Sequence, residues 1–440
     1  MLKKRLSAVV LACILCLLSG TDCWAMNQEK SLPEQARGLI GGAADACLRA
    51  CGGLPEQTRG LMEEWKGLLS GTGCQGMNQE KGLLEQAQEL IEERKYPQAI
   101  GLLSGIADDE AAARLLEQLY YVISGDYIEN LDVGVAAIDR EGHVRIAAHS
   151  VYFKNLHRDQ EATLEMAGKW ENIRRLHGGC GLDALDKDGG FHTVRGDQGY
   201  DDFTERNRQI AELEPLKLLF SRIYDFAVLR MDGTVYAYDK YSGYTGKDYV
   251  KQQMAQWTDV RDMVSGPDIV MVLLGDGTVD FVSAGFFGRQ HLDTLEWTDI
   301  VAIDGLGVTG CIAGLTSEGT VVVSNHGVDE NGAVYTDAFE WSDIIAISKG
   351  FESLLGLKRD GTVVAAGNLR SGQEDIAEWT DIVAISAGQD IHVGLKSDGT
   401  IVMAGDFGGR LELPDLTGMK DLYVPEVSLD NIDEPVPAMP

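Results

Sequence analysis

From about residue 130 onward the chain alternates apolar and polar positions in short runs, and seven times two such runs meet at the same corner. An acidic residue stands before a glycine, at Gly142, Gly189, Gly233, Gly277, Gly319, Gly361 and Gly399. Four places earlier comes Ile138, Leu185, Leu229, Leu273, Leu315, Leu357 or Leu395, and two places later Val144, Phe191, Val235, Val279, Val321, Val363 or Ile401. Apolar alternation on both sides of an Asp-Gly pair predicts strand, tight turn, strand, with a type I′ turn as the expected geometry because glycine takes positive φ without strain. The glycines are spaced by 47 residues at first and by 38 at the end. Between corners the pattern adds a glycine-rich loop and then Trp-(Thr/Ser)-Asp leading into another β-rich run, at Trp257, Trp297, Trp341 and Trp379, with Trp170 in a similar place. Units of this length with three or four short strands cannot bury their apolar faces alone, and predict a β-propeller. The expected fold is mainly β, a seven-bladed β-propeller over 125–425. The position before each turn that holds Ala137, Ala184, Val228, Val272, Gly314, Gly356 or Gly394 is small or slim, as expected for strands crowded near a central axis. Met419–Val424 repeats the step that follows Trp-Thr-Asp without a turn after it, so this tail is expected to complete the first blade and close the ring.

Ahead of the repeats the period changes to that of a helix. Leu84, Ala87, Leu90 and Ile91 share one face, Tyr96–Ile100 begins a second helix, and Asp108 is placed to cap a third over Glu110–Val122 with Leu115, Leu116 and Leu119 on one side. The stretch from Arg94 to Ile100 resembles the middle of a tetratricopeptide repeat, but one hairpin cannot make a solenoid. These helices (83–124) are therefore expected to pack against the propeller or to pair with another protein.

The last units, typified by Trp379 to Gly405, resemble repeats of the regulator of chromosome condensation family, whose outgoing strand ends in Gly-Asn and then Gly-Gln. Gly367-Asn368 and Gly372-Gln373 reproduce those pairs, and Gly285 with Gly288-Arg289-Gln290 approximates them. The resemblance spans roughly 125–425 and fades in the first two units. It implies seven blades. It does not imply one activity, because the family includes a nucleotide exchange factor, chromatin binders and a secreted bacterial inhibitor of β-lactamases; the chain looks most like the bacterial secreted type.

Targeting and charge narrow the choice. Lys3, Lys4 and Arg5 precede an apolar run from Leu6 to Leu18, too short to span a bilayer, so residues 1–25 are expected to be a signal peptide and the protein secreted or displayed at the cell surface, without membrane insertion. The formal net charge is −31, which removes the main source of affinity for phosphate backbones and argues against a nucleic-acid partner. Acidity favours solubility and can favour basic partners. Residues 17–40 and 68–91 are near copies, and the glycine pairs at 41–42 and 52–53 make 26–82 a duplicated tether with short helices; 426–440 reads as a flexible tail. Beyond residue 25 the cysteines are Cys47, Cys51, Cys74, Cys180 and Cys311, an odd set without a zinc pattern. Cys180 and Cys311 read as small buried residues.

No catalytic or metal constellation stands out, and no cofactor is expected: the phosphate-loop, Gly-x-Ser-x-Gly and His-Glu-x-x-His patterns are missing. His392, in an apolar run, reads as a satisfied core histidine. The repeated Trp residues read as packing between blades. Insertions carry more interest, because binding residues collect on loops held by a rigid scaffold. One contains Tyr241, Tyr244 and Tyr249 among Ser and Gly, the chemistry of adaptable recognition loops; another spans 195–222; Phe286, Phe287 and Phe407 add aromatic candidates. These expectations add up to a secreted, non-enzymatic protein that binds another protein through propeller loops. Glycan binding, or a hydrolase with a site at the axial mouth, are the alternatives.

Overall fold

A computed structural model describes residues 82–427, apart from 108, 132–133, 150–159, 179–180, 195–200, 222–224, 240–247, 267–268, 284–292, 306–310, 329–331, 333 and 407–413. Three helices come first: α1 over 82–92, α2 (Tyr96–Ser104) and α3 (Glu110–Ser124). Blade 1 follows with β1 (Ile128–Asn130), β2 (Gly134–Ile138) and β3 (Val144–Ala148). Blade 2 has β4 (Ile173–Gly178), β5 (Leu182–Asp186) and β6 (Phe191–Thr193). Blade 3 has β7 (Leu216–Ser221), β8 (Asp225–Arg230) and β9 (Val235–Asp239), and blade 4 β10 (Val260–Gly266), β11 (Ile269–Leu274) and β12 (Val279–Ser283). Blade 5 has β13 (Ile300–Gly305), β14 (Ile312–Thr316) and β15 (Val321–Val323). Blade 6 has β16 (Ile344–Lys349), β17 (Ser353–Lys358) and β18 (Val363–Gly367), and blade 7 β19 (Ile382–Ala387), β20 (Ile391–Lys396) and β21 (Ile401–Gly405). Each blade is a three-stranded antiparallel sheet in chain order. The first strand of every blade packs against the first strand of the next, and β19 packs against β1, so the fold is a closed seven-bladed β-propeller with the first strands innermost.

The corners repeat closely, but they are not type I′ turns. Only the glycine has positive φ, between 79° and 84° in all seven, while the preceding acid does not. The glycine N–H donates to the carbonyl three residues back, as from Gly361 to Lys358 at 2.9 Å, and Lys358 N–H donates to Thr362 at 2.9 Å. That is a three-residue loop, a type I turn followed by a left-handed residue, which also satisfies strand twist. The Asp of Trp-(Thr/Ser)-Asp, and the residue in its place in blade 2 and in the tail, is left-handed too: Asn172, Asp259, Asp299, Asp343, Asp381 and Asp421 have φ between 54° and 63°, a region that Asn and Asp tolerate better than other side chains. Its carbonyl accepts from the turn of its own blade, as from Ser397 to Asp381 at 2.9 Å.

Asp421 shows how the ring closes. Arg140 N–H donates to the Asp421 carbonyl, Leu422 N–H to Gly399 of blade 7 and Tyr423 N–H to Ile138 of blade 1. Leu422 pairs with Asp139 and is fully buried. The tail thus takes the opening step of blade 1's inner strand, and Ile128–Asn130 supplies the rest through the Ile128–Ala137 register. A second inner ladder ties the blades: Asp262 accepts from Ile303 N–H at 3.3 Å, Asp304 from Lys349 at 2.8 Å, Ser348 from Ala387 at 3.0 Å and Ser386 from Asn130 at 3.0 Å.

The tryptophans wedge between blades. Trp379 packs among Leu355 and Leu357 of blade 6 and Ile382 and Ile385 of blade 7, and Trp257 does the same for blades 3 and 4; side chains of this size bury roughly 150–250 Å² each. The slim positions have a different cause from the expected axial crowding, because they lie on middle strands. A Cβ on Gly314, Gly356 or Gly394 would come within 2.9, 2.8 or 2.9 Å of the ring of Trp297, Trp341 or Trp379. Outside the strands, short helices α4 (Gln160–Ala167), α5 (Asp201–Ala211) and α6 (Asp248–Met254) lie against outer strands β3, β6 and β12. The expectations for 1–25, 26–81 and 428–440 fall outside the described residues.

Candidate functional site at the helix-covered mouth

The three leading helices lie on the propeller face where the seven corners converge. Gln98 Nε2 donates to the Glu318 carbonyl at 3.1 Å and Arg94 to the Ile382 carbonyl at 3.2 Å. Gly101 sits inside α2 because a Cβ there would stand 2.9 Å from that of Ser317. The cap of α3 is Asp109 rather than Asp108: its carboxylate accepts from Ala111 and Ala112 N–H, the usual N-cap geometry. Gly125 ends the helix with φ 68°. In the second half of α3, Leu115, Leu116, Gln118, Leu119, Tyr121, Val122 and Ile123 are all buried, which leaves this half buried nearly all round. An amphipathic helix lying on a surface would bury one stripe; this one enters the ring. Leu115, Leu116, Leu119 and Ile123 pack with Val301, Ala302 and Ile347 of blades 5 and 6, and Tyr121 donates to the Arg174 carbonyl of blade 2 at 2.8 Å.

Beside this plug, α1 and α2 leave a groove of about 590 Å³ against the corners of blades 4 and 5. Leu90, Leu102, Tyr120, Ile300 and Val301 form its apolar part. Its rim carries exposed Glu89, Glu93, Asp276, Asp299 and Glu318, and the single cation Lys95. Lys95 is already bonded to Glu93 at 2.6 Å, which holds that carboxyl below its ordinary value. Burial lifts the Tyr120 phenol to about 12. The groove is therefore acidic over an apolar floor.

The axis also holds two half-buried acids. Asp262 is pushed up to about 7, by burial first and then by the Asp126 carboxylate, and Asp304 to about 6, by burial. Raised carboxyls are candidates for acid chemistry. Here both oxygens of each accept backbone N–H bonds, from Met263 and Ile303 for Asp262 and from Gly305 and Lys349 for Asp304. They are joints between blades, and α3 fills the mouth that an axial hydrolase site would need on this face. Asp139, Glu141 and His143 bring possible ligand atoms within 4.8 Å of one another. Asp139 already accepts from Glu141 N–H, His143 N–H and Arg145, which makes it a turn cap. His392 corrects the expectation of a satisfied histidine: it is fully buried, neither ring nitrogen has a hydrogen-bond partner among the described residues, and burial lowers it to about 4. Cys311 is fully buried, as its sequence context implied, and Cys180 lies outside the described residues.

Of the aromatic candidates, Tyr241, Tyr244, Phe286, Phe287 and Phe407 lie outside the described residues. Tyr249 falls in α6 on the rim between blades 3 and 4; its side chain lies outside them as well. None of the groove residues was singled out as a binding candidate from the sequence. The signal available was the Glu89/Glu93 pair on one helix face ahead of an acidic set of corners.

No family model matches the chain, and no curated protein is similar to it. Solved structures are. One is the WD40 ectodomain of the Arabidopsis thaliana receptor kinase ACR4, at 13% identity and TM-score 0.43 over 66% of this chain and 94% of that one. Another is yeast RCC1 (Prp20) bound to Kap60, at 15% identity and TM-score 0.40 over 68% and 86%. A third is the receptor kinase CR4 ectodomain of Physcomitrella patens, at 12% and 0.39 over 63% and 72%. The fold itself rests on the seven closed sheets. Among the described residues no helix is long and apolar enough to cross a membrane.

Proposed function

We propose that the chain is a non-enzymatic, protein-binding propeller acting outside the cell or at its surface, and that the groove over blades 4 and 5 receives a basic segment of its partner. The observation that carries this is the groove's charge: five exposed carboxylates stand around an apolar floor, and the one lysine is tied to one of them. An apolar floor with an acidic rim suits a side chain that is aliphatic along its stem and cationic at its tip, as Lys and Arg are. Net charge of −31 adds long-range attraction for such a partner and repels nucleic acid. The acidic side chains available, Glu89 and Glu318, are not engaged in the turn caps, so they can be changed without touching the corners.

Isothermal titration of the full chain with a Lys/Arg-rich peptide tests the reading, with a Glu-rich peptide of equal length as control. The basic peptide is expected to bind, more weakly as salt rises, and the double substitution Glu89→Gln/Glu318→Gln to weaken it by roughly tenfold, the order of two lost charge-assisted contacts at a solvated rim. Equal binding of both peptides, or no effect of the substitutions, would reject it. The secretory part is tested separately, by N-terminal sequencing of protein recovered from the culture medium: a mature chain beginning near residue 26 is expected.

A further inference from the structure

Six of the seven inner strands skip a partner at the same point. The register jumps one residue after the first, leaving Arg174 in β4, Lys217 in β7, Arg261 in β10, Val301 in β13, Ile345 in β16 and Val383 in β19 without a direct cross-strand mate. A bulge of this kind re-aims a side chain. These six stand at the strand ends nearest α3, and their chemistry divides the mouth in two. On blades 5 to 7 they are aliphatic, and Val301 packs with the α3 leucines. On blades 2 to 4 they are all cations, and Arg175 adds a fourth, in a chain whose net charge is −31.

The basic half also contacts the helix, and among the described residues its four cations pair with three carboxylates, Asp126, Asp259 and Glu117. Arg175 pairs with Asp126, and Arg261 with Asp259 at 2.7 Å. Among the described residues Lys217 pairs only with the Glu117 carboxylate of α3, at 3.7 Å. Arg174 lies over the Tyr121 ring at 5.4 Å, and its buried Nε has no hydrogen-bond partner among the described residues. Arg175 lies over the same ring at 5.6 Å, and Arg261 over Tyr120 at 5.9 Å. Burial draws both Arg174 and Lys217 below their ordinary values, and the neighbouring arginines pull the same way. Desolvated cations in excess of their acids cost stability unless a further partner meets them.

We propose that this crescent of Arg174, Arg175, Lys217 and Arg261 is an oxyanion site that takes one phosphate, sulfate or carboxylate group between α3 and blades 2 to 4. It abuts the acidic groove over blades 4 and 5 at Tyr120, which Arg261 overlies, but its test does not depend on that reading. Arginine forks and a lysine converging from three strands match the several acceptor oxygens of such a group. Glu117 occupies the lysine in its absence.

The test is titration of the full chain with sodium phosphate, sulfate and acetate, ionic strength being held constant with chloride. One-to-one binding is expected for at least one of the three anions, and which of them binds most tightly separates the phosphate, sulfate and carboxylate sources. Lys217→Gln is expected to weaken it by about tenfold, one charge-assisted hydrogen bond. Glu117→Gln is expected to strengthen it severalfold, because it removes the internal competitor. A purely structural role for these cations predicts the opposite pattern: Glu117→Gln lowers the melting temperature and leaves anion affinity unchanged. That result, or no binding beyond the chloride control in protein whose melting curve is intact, overturns the proposal.

Discussion

Blades 6 and 7 and blades 1 and 2 make the same backbone bonds with different side chains. In the late blades a tryptophan opens the step, glycine in the middle strand accepts its ring, and Asp360 or Asp398, directly before the corner glycine, caps the turn through Thr362 or Thr400. In the early blades the cap moves: Asp139 and Asp186, three residues before the glycine, accept two backbone N–H bonds each and bind Arg145 and His192. Glu141 and Asp188, which look like the late caps in sequence, do not serve as caps. Blade 1 even draws its inner strand from both ends of the described chain. Yet Arg140 N–H still reaches the Asp421 carbonyl as Ser397 reaches Asp381. The scaffold is set by backbone geometry, and side chains are free to vary wherever another donor or acceptor completes it.

The comparison breaks most sharply at the tryptophan wedge. Trp379→Ala should cost about 3–5 kcal/mol by chemical denaturation, the range for deleting a large buried ring. Gly394→Ala alone should cost about 1–3 kcal/mol by overpacking against that ring, because its Cβ would lie 2.9 Å from Trp379 Cζ3. In the double variant the second cost should shrink or vanish, since the new methyl enters the space the ring has left. Additive costs would show that the glycine serves something other than the tryptophan.

Closure comes next. Leu422 and Ile382 occupy equivalent steps and are both fully buried, so Leu422→Ala and Ile382→Ala should each cost about 2–5 kcal/mol. If the tail were a loose strap, the first would cost a small fraction of the second.

The acid joints offer a third contrast, between Asp262–Asp304 and the serines Ser348 and Ser386 that do the same task in blades 6 and 7. Raised carboxyls bind protons more readily in the folded state than in the unfolded one, so their contribution to stability is greatest below about pH 4 and falls as pH rises towards about 7 and 6. Other carboxylates whose values are lowered, such as Asp276 and Asp360, act in the reverse sense and lose their contribution on acidification. Asp262→Ser should therefore flatten the decline between about pH 4 and 7, a change on the order of 2 kcal/mol, while Ser348→Ala should leave the pH profile unchanged. An unaltered profile in the Asp262 variant would place the proton elsewhere.

Much of this architecture was legible in the chain. The seven corners, the hairpins they join and the packing of the tryptophans between blades followed from the spacing of apolar residues, glycine and Trp-Thr-Asp. What the pattern concealed depends on depth and register. Strand periodicity does not say which strand is innermost, so Gly356 and Gly394 read as axial when they face a tryptophan of their own joint. Helical periodicity showed one apolar face on α3, and only the closed ring reveals that Gln118, Tyr121 and Val122 on its other sides are buried as well. The basic crescent was hidden because Arg174, Lys217 and Arg261 are far apart in sequence and align only through three equivalent bulges. The acidic groove joins one helix pair to two distant corners, and local patterns carry no trace of such a meeting.

The smallest effect tests the turn caps themselves. Asp360 is exposed and bonds Thr362 N–H at 3.0 Å and Thr362 Oγ1 at 2.6 Å, contacts that water replaces readily. Asp360→Ala should cost only about 0.5 kcal/mol. Asp139 is 1% exposed and holds two N–H groups and a guanidinium. Asp139→Ala strands those donors where solvent enters poorly, and should cost about 2 kcal/mol. Moving the cap should rescue part of that loss: Glu141→Asp with His143→Thr reproduces the late pattern at the early corner, and a recovery of about 0.5 kcal/mol in the Asp139→Ala background is the expected result in a denaturant titration. No recovery would mean that the corner of blade 1 needs its buried carboxylate for Arg145 and for the seam with the tail, and that the two cap designs are not interchangeable parts of one turn.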